Sequence, residues 1–290
     1  MASNNWNIPY ADKAWVIVTY ALLFFSFTSG YFTSLRYGVN FDIKKFWKNK
    51  LYRIGVEYTL LNIFFVFLFL VQKKENIFSF HSLISWLGLN GFLTWFGVHN
   101  QSPFGAGLWF LTLLILFYIA YPVIAHACQI KTRAWVFVVF FTAMMIYLDA
   151  KVIYNHMLWI TACGFVLGVF FNSQKIFFSF RMCLCIIFVE LICIFIAFCL
   201  NLNIRTSHIV LATSIPLILM FFLFKIPSFI HHMVRPVRST VLGIYILHVY
   251  IFTYLTNIFI IDYIISLLIT IFIAYIINTL SNKIVHKLYE

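Results

Sequence analysis

The sequence predicts an all-α fold, a polytopic transmembrane helical bundle of about nine spans. Three observations predict it. Of the 290 residues, 63% are apolar and only 10% charged, against about 45–50% and about 25% in ordinary soluble domains. Mean hydropathy is +0.97, and so few charges leave too little polar surface to clothe a soluble globule. The apolar residues also come in runs near the ~20 residues a membrane helix needs, not in the alternation of barrel strands. The same composition excludes disorder, collagen, coiled coil and a nucleic-acid partner.

In chain order, the apolar runs place spans at about 14–33, 54–71, 107–127, 134–150, 155–171, 182–200, 207–224, 239–261 and 263–280. The stretch 79–98 is apolar but broken by Gly88, Gly91 and Gly97. It reads as a tenth span, a re-entrant piece or an interfacial helix. Charge decides whether it crosses. With nine spans, one membrane side collects fifteen of the 20 Lys and Arg: Arg36, Lys44, Lys45, Lys48, Lys50, Arg53, Lys131, Arg133, Lys175, Arg181, Lys225, Arg235, Arg238, Lys283 and Lys287. Lys13, Lys73, Lys74, Lys151 and Arg205 fall on the other side. A crossing at 79–98 would erase most of that bias. Cytoplasmic loops gather Lys and Arg, so nine spans are favoured, with the C-terminus and the 34–53 loop in the cytoplasm. The net charge of +12 is mainly this bias. No repeat, low-complexity tract or linker divides residues 1–290, which read as one integral-membrane domain.

Polar residues inside spans need a reason, because a charge at the bilayer centre costs at least about 2.5–3.5 kcal/mol. Glu190 sits near the middle of 182–200; a hydrogen-bonded packing residue and a functional carboxyl both remain open. Glu57, one turn into 54–71, is expected to pair with Lys50 or Arg53 across one or two helical turns. His248 within 239–261 reads equally as a structural hydrogen-bonding residue or a proton acceptor. The six cysteines lie in or beside apolar stretches without a C-x-x-C pair, and no H-x-x-x-H or H-E-x-x-H spacing occurs. No metal is expected.

The strongest local signal is 34–53, SLRYGVNFDIKKFWKNKLYR, with six basic residues among Phe41, Phe46, Trp47 and Tyr52. On a helix Lys44, Lys45 and Lys48 share one face. Two readings are open: a helix that binds anionic lipid headgroups, or a phosphate-binding surface whose rings face an adenine.

Four segments then carry a resemblance. Phe24–Phe32, FFSFTSGYF, resembles the F-F-x-x-S-G-[YF] end of a membrane helix. Phe46–Ile54, FWKNKLYRI, resembles a following F-x-x-[KR]-R-x-x-R-I segment. Leu108–Leu111, LWFL, with Phe117-Tyr118 and Tyr121-Pro122, resembles an L-W-F-L…F-Y…P helix start. Ser239–His248, STVLGIYILH, resembles S-x-x-[IL]-[GS]-I-Y-[LI]-x-H near the end of the chain. In this order the chain is similar to the integral-membrane acyltransferase family 3, over residues 24 to about 250.

The resemblance implies ten helices in the bacterial inner, or cell, membrane. It implies transfer of an acyl group, often acetyl from acetyl-CoA, onto a hydroxyl of a surface glycan or glycolipid. The basic segment would then bind the donor: Arg53 matches the second Arg of the motif, and Lys50 stands in the first place. Lysine keeps the charge but lacks the bidentate fork of arginine. Ser29 and Gly30 would form a close-packing turn, and Tyr245, His248 and Glu190 would line the cavity. The family's first helix carries an R-[GS]-x-A…H pattern whose His is taken as catalytic base. Span 14–33 matches the family's second helix, and no His precedes His81. The chain is therefore expected to lack that helix, leaving the catalytic residue unassigned with His248 as substitute. The expected function is an O-acyltransferase of a surface polysaccharide or glycolipid, with membrane lipids as neighbours. A lipid-linked glycan transporter and a non-catalytic remnant are the rivals. A transporter would show matched helix breaks in its halves, and Pro216 has no counterpart.

Overall fold

In hydrocarbon, every backbone N–H and C=O must find a partner within the protein, and this selects helices. The computed structural model describes residues 14–38, 40–105, 108–151, 156–176, 180–199, 239–251, 256 and 258–289. Regular structure among them is all helical, without a strand. The helices are α1 (Ala14–Tyr37), α2 (Ile43–Val71), α3 (Phe80–Trp86), α4 (Asn90–Trp95), α5 (Trp109–Ala127), α6 (Lys131–Lys151), α7 (His156–Ser173), α8 (Phe180–Cys199), α9 (Val241–Leu247) and α10 (Phe259–Tyr289). By length and composition, α2, α5 and α10 are apolar enough to cross a membrane. The span expected at 207–224 lies outside the described residues.

The loop expected between spans at 34–53 is replaced by helix over most of its length, in keeping with the helical face read for its lysines: α1 runs to Tyr37, and Asp42 starts α2 by accepting from the Lys44 and Lys45 amides at 2.8 and 3.2 Å. That side-chain cap supplies acceptors the first turn lacks. The expected single span 239–261 is also replaced. Helix α9 ends at Leu247, and the Tyr250 and Ile251 amides close a turn on the Leu247 carbonyl. The turn lets the Tyr250 hydroxyl accept from the Gly105 amide at 2.7 Å while its ring lies 4.5 Å from Phe65.

The chain forms two compact units. Of the described residues, one unit holds those in 42–112 and 239–289, and the other those in 14–41 and 113–199. In the second, α1 packs along α7 through small residues. A Cβ on Gly30 would fall on the Phe165 carbonyl, and one on Gly168 on that of Phe27. Such contact needs bare backbone. Gly30 therefore sits inside α1 at a helix contact, not in the turn expected for Ser29-Gly30. Around it, Phe117 stacks on Phe165 at 4.8 Å, and the Tyr121 hydroxyl donates to the Gly38 carbonyl at 2.7 Å.

In the first unit, the glycine-broken stretch resolves as a re-entrant pair, α3 and α4. Its two ends meet: Ser82 Oγ donates to the Asn76 carbonyl at 2.8 Å and contacts Ser102 Oγ at 2.8 Å, while the Gln101 amide donates to His81 Nδ1 at 3.0 Å. Between these ends the chain reaches Tyr58 and Asn62 within α2. The break after Trp86 leaves carbonyls that a continuous helix would have used. Three side chains replace them. Tyr58 donates to the Ser85 carbonyl, Asn62 to that of Trp86 at 3.3 Å, and Thr112 to that of Gly88 at 2.7 Å. Gly88 itself takes φ 73°, which favours glycine. Non-helical backbone at membrane depth is tolerated where protein groups serve it in this way.

Candidate functional site

The candidate site grows from one face of α2. At 100° per residue, Phe46, Lys50, Arg53 and Glu57 fall within about 60° of one another. Lys44 and Lys48 lie on roughly the opposite face, and Lys45 on the flank beside them. Burial follows the division: Phe46 is 1% and Glu57 5% exposed, Lys50 is half-buried, and Lys44, Lys45 and Lys48 are exposed. Arg53 is exposed between them, one turn before Glu57. The Lys50 ammonium sits 5.9 Å from the Phe46 ring centroid, within cation–π range.

Helix α9 faces this side of α2. Gly243 is the contact residue: a Cβ there would lie 3.4 Å from Glu57 Oε1 and 3.1 Å from Ala274 Cβ of α10. Glu57 Oε1 is buried and has no hydrogen-bond partner. The carboxyl packs against Gly243, and the expected partner Arg53, one turn earlier, acts on it through its charge. The helix directions follow from pairs of contacts. Gly243 meets Glu57, and Tyr250 meets Phe65 and Phe69 further along α2, so α9 runs parallel to α2. Ser239 accepts from Asn278 at 2.9 Å and Gly243 meets Ala274, so α9 runs antiparallel to α10.

The other expected site residues fall as follows. Tyr245 is half-buried with its ring 5.3 Å from Phe110. His248 is exposed at the end of α9, and its Nδ1 contacts the Tyr245 carbonyl. A carbonyl only accepts, so Nδ1 is the donor in this contact and Nε2 is the ring nitrogen turned to other partners. With α9 parallel to α2, His248 and Arg53 lie to opposite sides of the Glu57–Gly243 level. Their axial separation is about 14 Å at 1.5 Å per residue. In the second unit, Ser29 Oγ contacts the Tyr118 hydroxyl at 3.2 Å, and Gly30 is buried against α7. Glu190 belongs to α8, and its side chain lies outside the described residues. No three His, Cys, Asp or Glu among the described residues gather to hold a metal ion.

Sequence reasoning missed the polar stitching beside this face. Tyr58, Asn62 and Thr112 serve the re-entrant carbonyls, and Asn90 donates to the Gly105 carbonyl at 2.7 Å. Their signal was polar side chains inside apolar runs, each requiring a partner in lipid.

No curated protein and no solved structure matches the chain. The family model for an acyltransferase domain, Acyl_transf_3, matches residues 2–280. That covers nearly the whole chain, including α2, α9 and most of α10, and the all-helical architecture agrees with it. The chain therefore belongs to acyltransferase family 3 and is a membrane acyltransferase.

Proposed function

We propose that this acyltransferase moves an acyl group, acetyl in the simplest case, from acyl-CoA to a sugar hydroxyl of a surface polysaccharide or glycolipid in the bacterial inner membrane. Lys50 and Arg53 take the donor phosphates, and His248 takes the acceptor proton. One observation carries this reading: two cations share a helix face about 14 Å (Arg53) and about 18 Å (Lys50) along the axis from a histidine whose Nδ1 is held by the Tyr245 carbonyl. The long pantetheine arm of CoA suits such a separation between phosphates and thioester. Donor phosphates would enter at the basic end, and the thioester would reach deeper, where an acceptor arrives from the other side.

The chemistry follows. The sugar oxygen attacks the thioester carbonyl carbon; the new C–O bond forms as the C–S bond breaks. His248 Nε2 receives the hydroxyl proton, and CoA leaves as the thiolate, which that proton then neutralises. A positioned base is worth about 10²–10⁴ in rate. Holding the thioester beside the hydroxyl supplies part of the remainder.

Transfer of labelled acetyl from acetyl-CoA to glycans, measured in membranes carrying the protein, tests the reading. Arg53→Ala is expected to raise the KM for acetyl-CoA at least tenfold, since one charge-assisted phosphate contact contributes about 1.5–3 kcal/mol. Lys50→Arg is expected to lower it by restoring the planar fork. His248→Ala should depress kcat by about 10²–10⁴. Turnover indifferent to Arg53→Ala would overturn the donor site, and turnover indifferent to His248→Ala would overturn the base.

A further inference from the structure

The six cations of 34–53 do not form one surface. Lys50 and Arg53 share the face of Phe46 and Glu57, whereas Lys44 and Lys48 project from the opposite face and Lys45 from the flank beside it, all three exposed. The second set has company. Helix α9 runs parallel to α2 and antiparallel to α10, so α2 and α10 are antiparallel, and the start of α2 lies at the same end as the finish of α10. Gly243 touches both helices, at Glu57 and Ala274, which fixes a common level. Lys48 and Lys44 stand 9 and 13 residues before Glu57, and Lys283 and Lys287 stand 9 and 13 residues after Ala274. Both pairs therefore lie about 14 and 20 Å from that level. His286 adds a third exposed group on α10.

Beside these cations are exposed apolar side chains: Ile43 and Leu51 on α2, Ile284 and Leu288 on α10. The apolar body of α2 begins at Ile54, about one and a half turns after Lys48, and that of α10 ends near Leu280, about one turn before Lys283. Alternating cations and apolar groups at this depth suit the boundary between headgroups and acyl chains. Lysine stems lie along the apolar surface there while the ammonium groups reach outward. We infer that Lys44, Lys45, Lys48, Lys283 and Lys287 form a two-helix collar that binds the phosphates of anionic lipid headgroups, separate from the donor site on the Lys50–Arg53 face.

The wild-type chain tests this without a variant that must fold. It is reconstituted in nanodiscs of phosphatidylcholine alone and of phosphatidylcholine mixed with phosphatidylglycerol. Each lysine is then labelled with an amine-reactive reagent and read by mass spectrometry. An anionic surface attracts each nearby lysine by ~1 kcal/mol, about fivefold in an equilibrium constant. Labelling of the five collar lysines is expected to fall about fivefold in the anionic discs and to recover in high salt. Lys73 and Lys74, beyond the opposite end of α2, face the disc's other anionic leaflet and are the control for general surface attraction; the collar lysines are expected to fall clearly further than they do. Added CoA is expected to leave the collar labelling unchanged. Equal labelling in the two discs overturns the collar, as does an equal fall at Lys73 and Lys74. Protection of the collar lysines by CoA overturns the separation from the donor site while leaving phosphate recognition by α2 intact.

Discussion

Two glycines in similar helices give opposite expectations. A Cβ on Gly168 of α7 would fall on the Phe27 carbonyl of α1 and stand 2.8 Å from the Tyr31 nitrogen. Both obstacles are backbone, which cannot swing aside. Gly168→Ala is expected to destabilise by about 1–3 kcal/mol or more. Gly55 of α2 has nothing within 4 Å of a built Cβ. Gly55→Ala is expected to stabilise by up to ~1 kcal/mol, through the lower helix propensity of glycine. Thermal unfolding in one detergent compares the two, and equal shifts would refute the close α1–α7 packing. Cys128, just past α5, adds a pH signature. Burial pushes its thiol up to about 12 from an ordinary 9.0, against a smaller opposing pull from Arg133. A raised acid pKa means the folded chain holds its proton where the unfolded chain has lost it. This contribution is complete below pH about 9 and disappears as pH rises towards 12. Cys128→Ala should flatten the alkaline limb of a stability–pH profile, and parallel profiles would remove the thiol from the account.

At the scale of elements, one hydroxyl of the three side chains that serve the re-entrant pair makes two bonds across its break. Thr112 Oγ1 donates to the Gly88 carbonyl at 2.7 Å and accepts from the Gly91 amide at 2.8 Å, across the break between α3 and α4. Valine has nearly the same shape and neither function. Thr112→Val strands two buried backbone groups, each costing about 1–3 kcal/mol. Thr112→Ser keeps both bonds and is expected to lie close to wild type. Limited proteolysis at 86–91 with thermal unfolding reads the difference; a valine variant as stable and resistant as serine would show that the stitch carries no weight. This element also shows how far sequence reaches. Gly88, Gly91 and Gly97 made a break legible, but three architectures fitted it. The choice depends on Tyr58, Asn62 and Thr112, which lie far off in the chain and whose partners are carbonyls without sequence identity. The early end of α9 was hidden for a similar reason, since Tyr250 is drawn to Gly105 across 145 residues. The long apolar helices were legible because their cause, hydrophobic length, is local. The candidate site divides the same way: the two faces of α2 follow from spacing alone, whereas the seat of Glu57 against Gly243 exists only in three dimensions.

For the whole molecule, the charge count and the contacts bear on one question, whether 79–98 crosses. If it crossed, Asn76 and Gln101 would lie on opposite membrane faces. The contacts of Ser82 with Asn76 and Ser102, and of His81 with Gln101, bring those two ends together. Crossing would also move every later loop to the other side and cancel most of the positive bias. The two arguments are independent, since one uses no coordinates and the other no charge. They meet in a labelling experiment with single cysteines on a background in which the native cysteines are replaced. Lys74→Cys and Gln101→Cys are expected to react with an impermeant maleimide in intact cells. Lys45→Cys and Lys283→Cys, at the shared end of the antiparallel α2 and α10, are expected to react only after the membrane is opened. Opposite behaviour of positions 74 and 101 would restore the tenth span, and opposite behaviour of 45 and 283 would break the level that places the collar at one membrane surface. If instead 45 and 283 react outside while 74 and 101 stay protected, the helix arrangement stands and its orientation reverses. The Lys50–Arg53 face would then be turned away from the cytoplasmic supply of acyl-CoA.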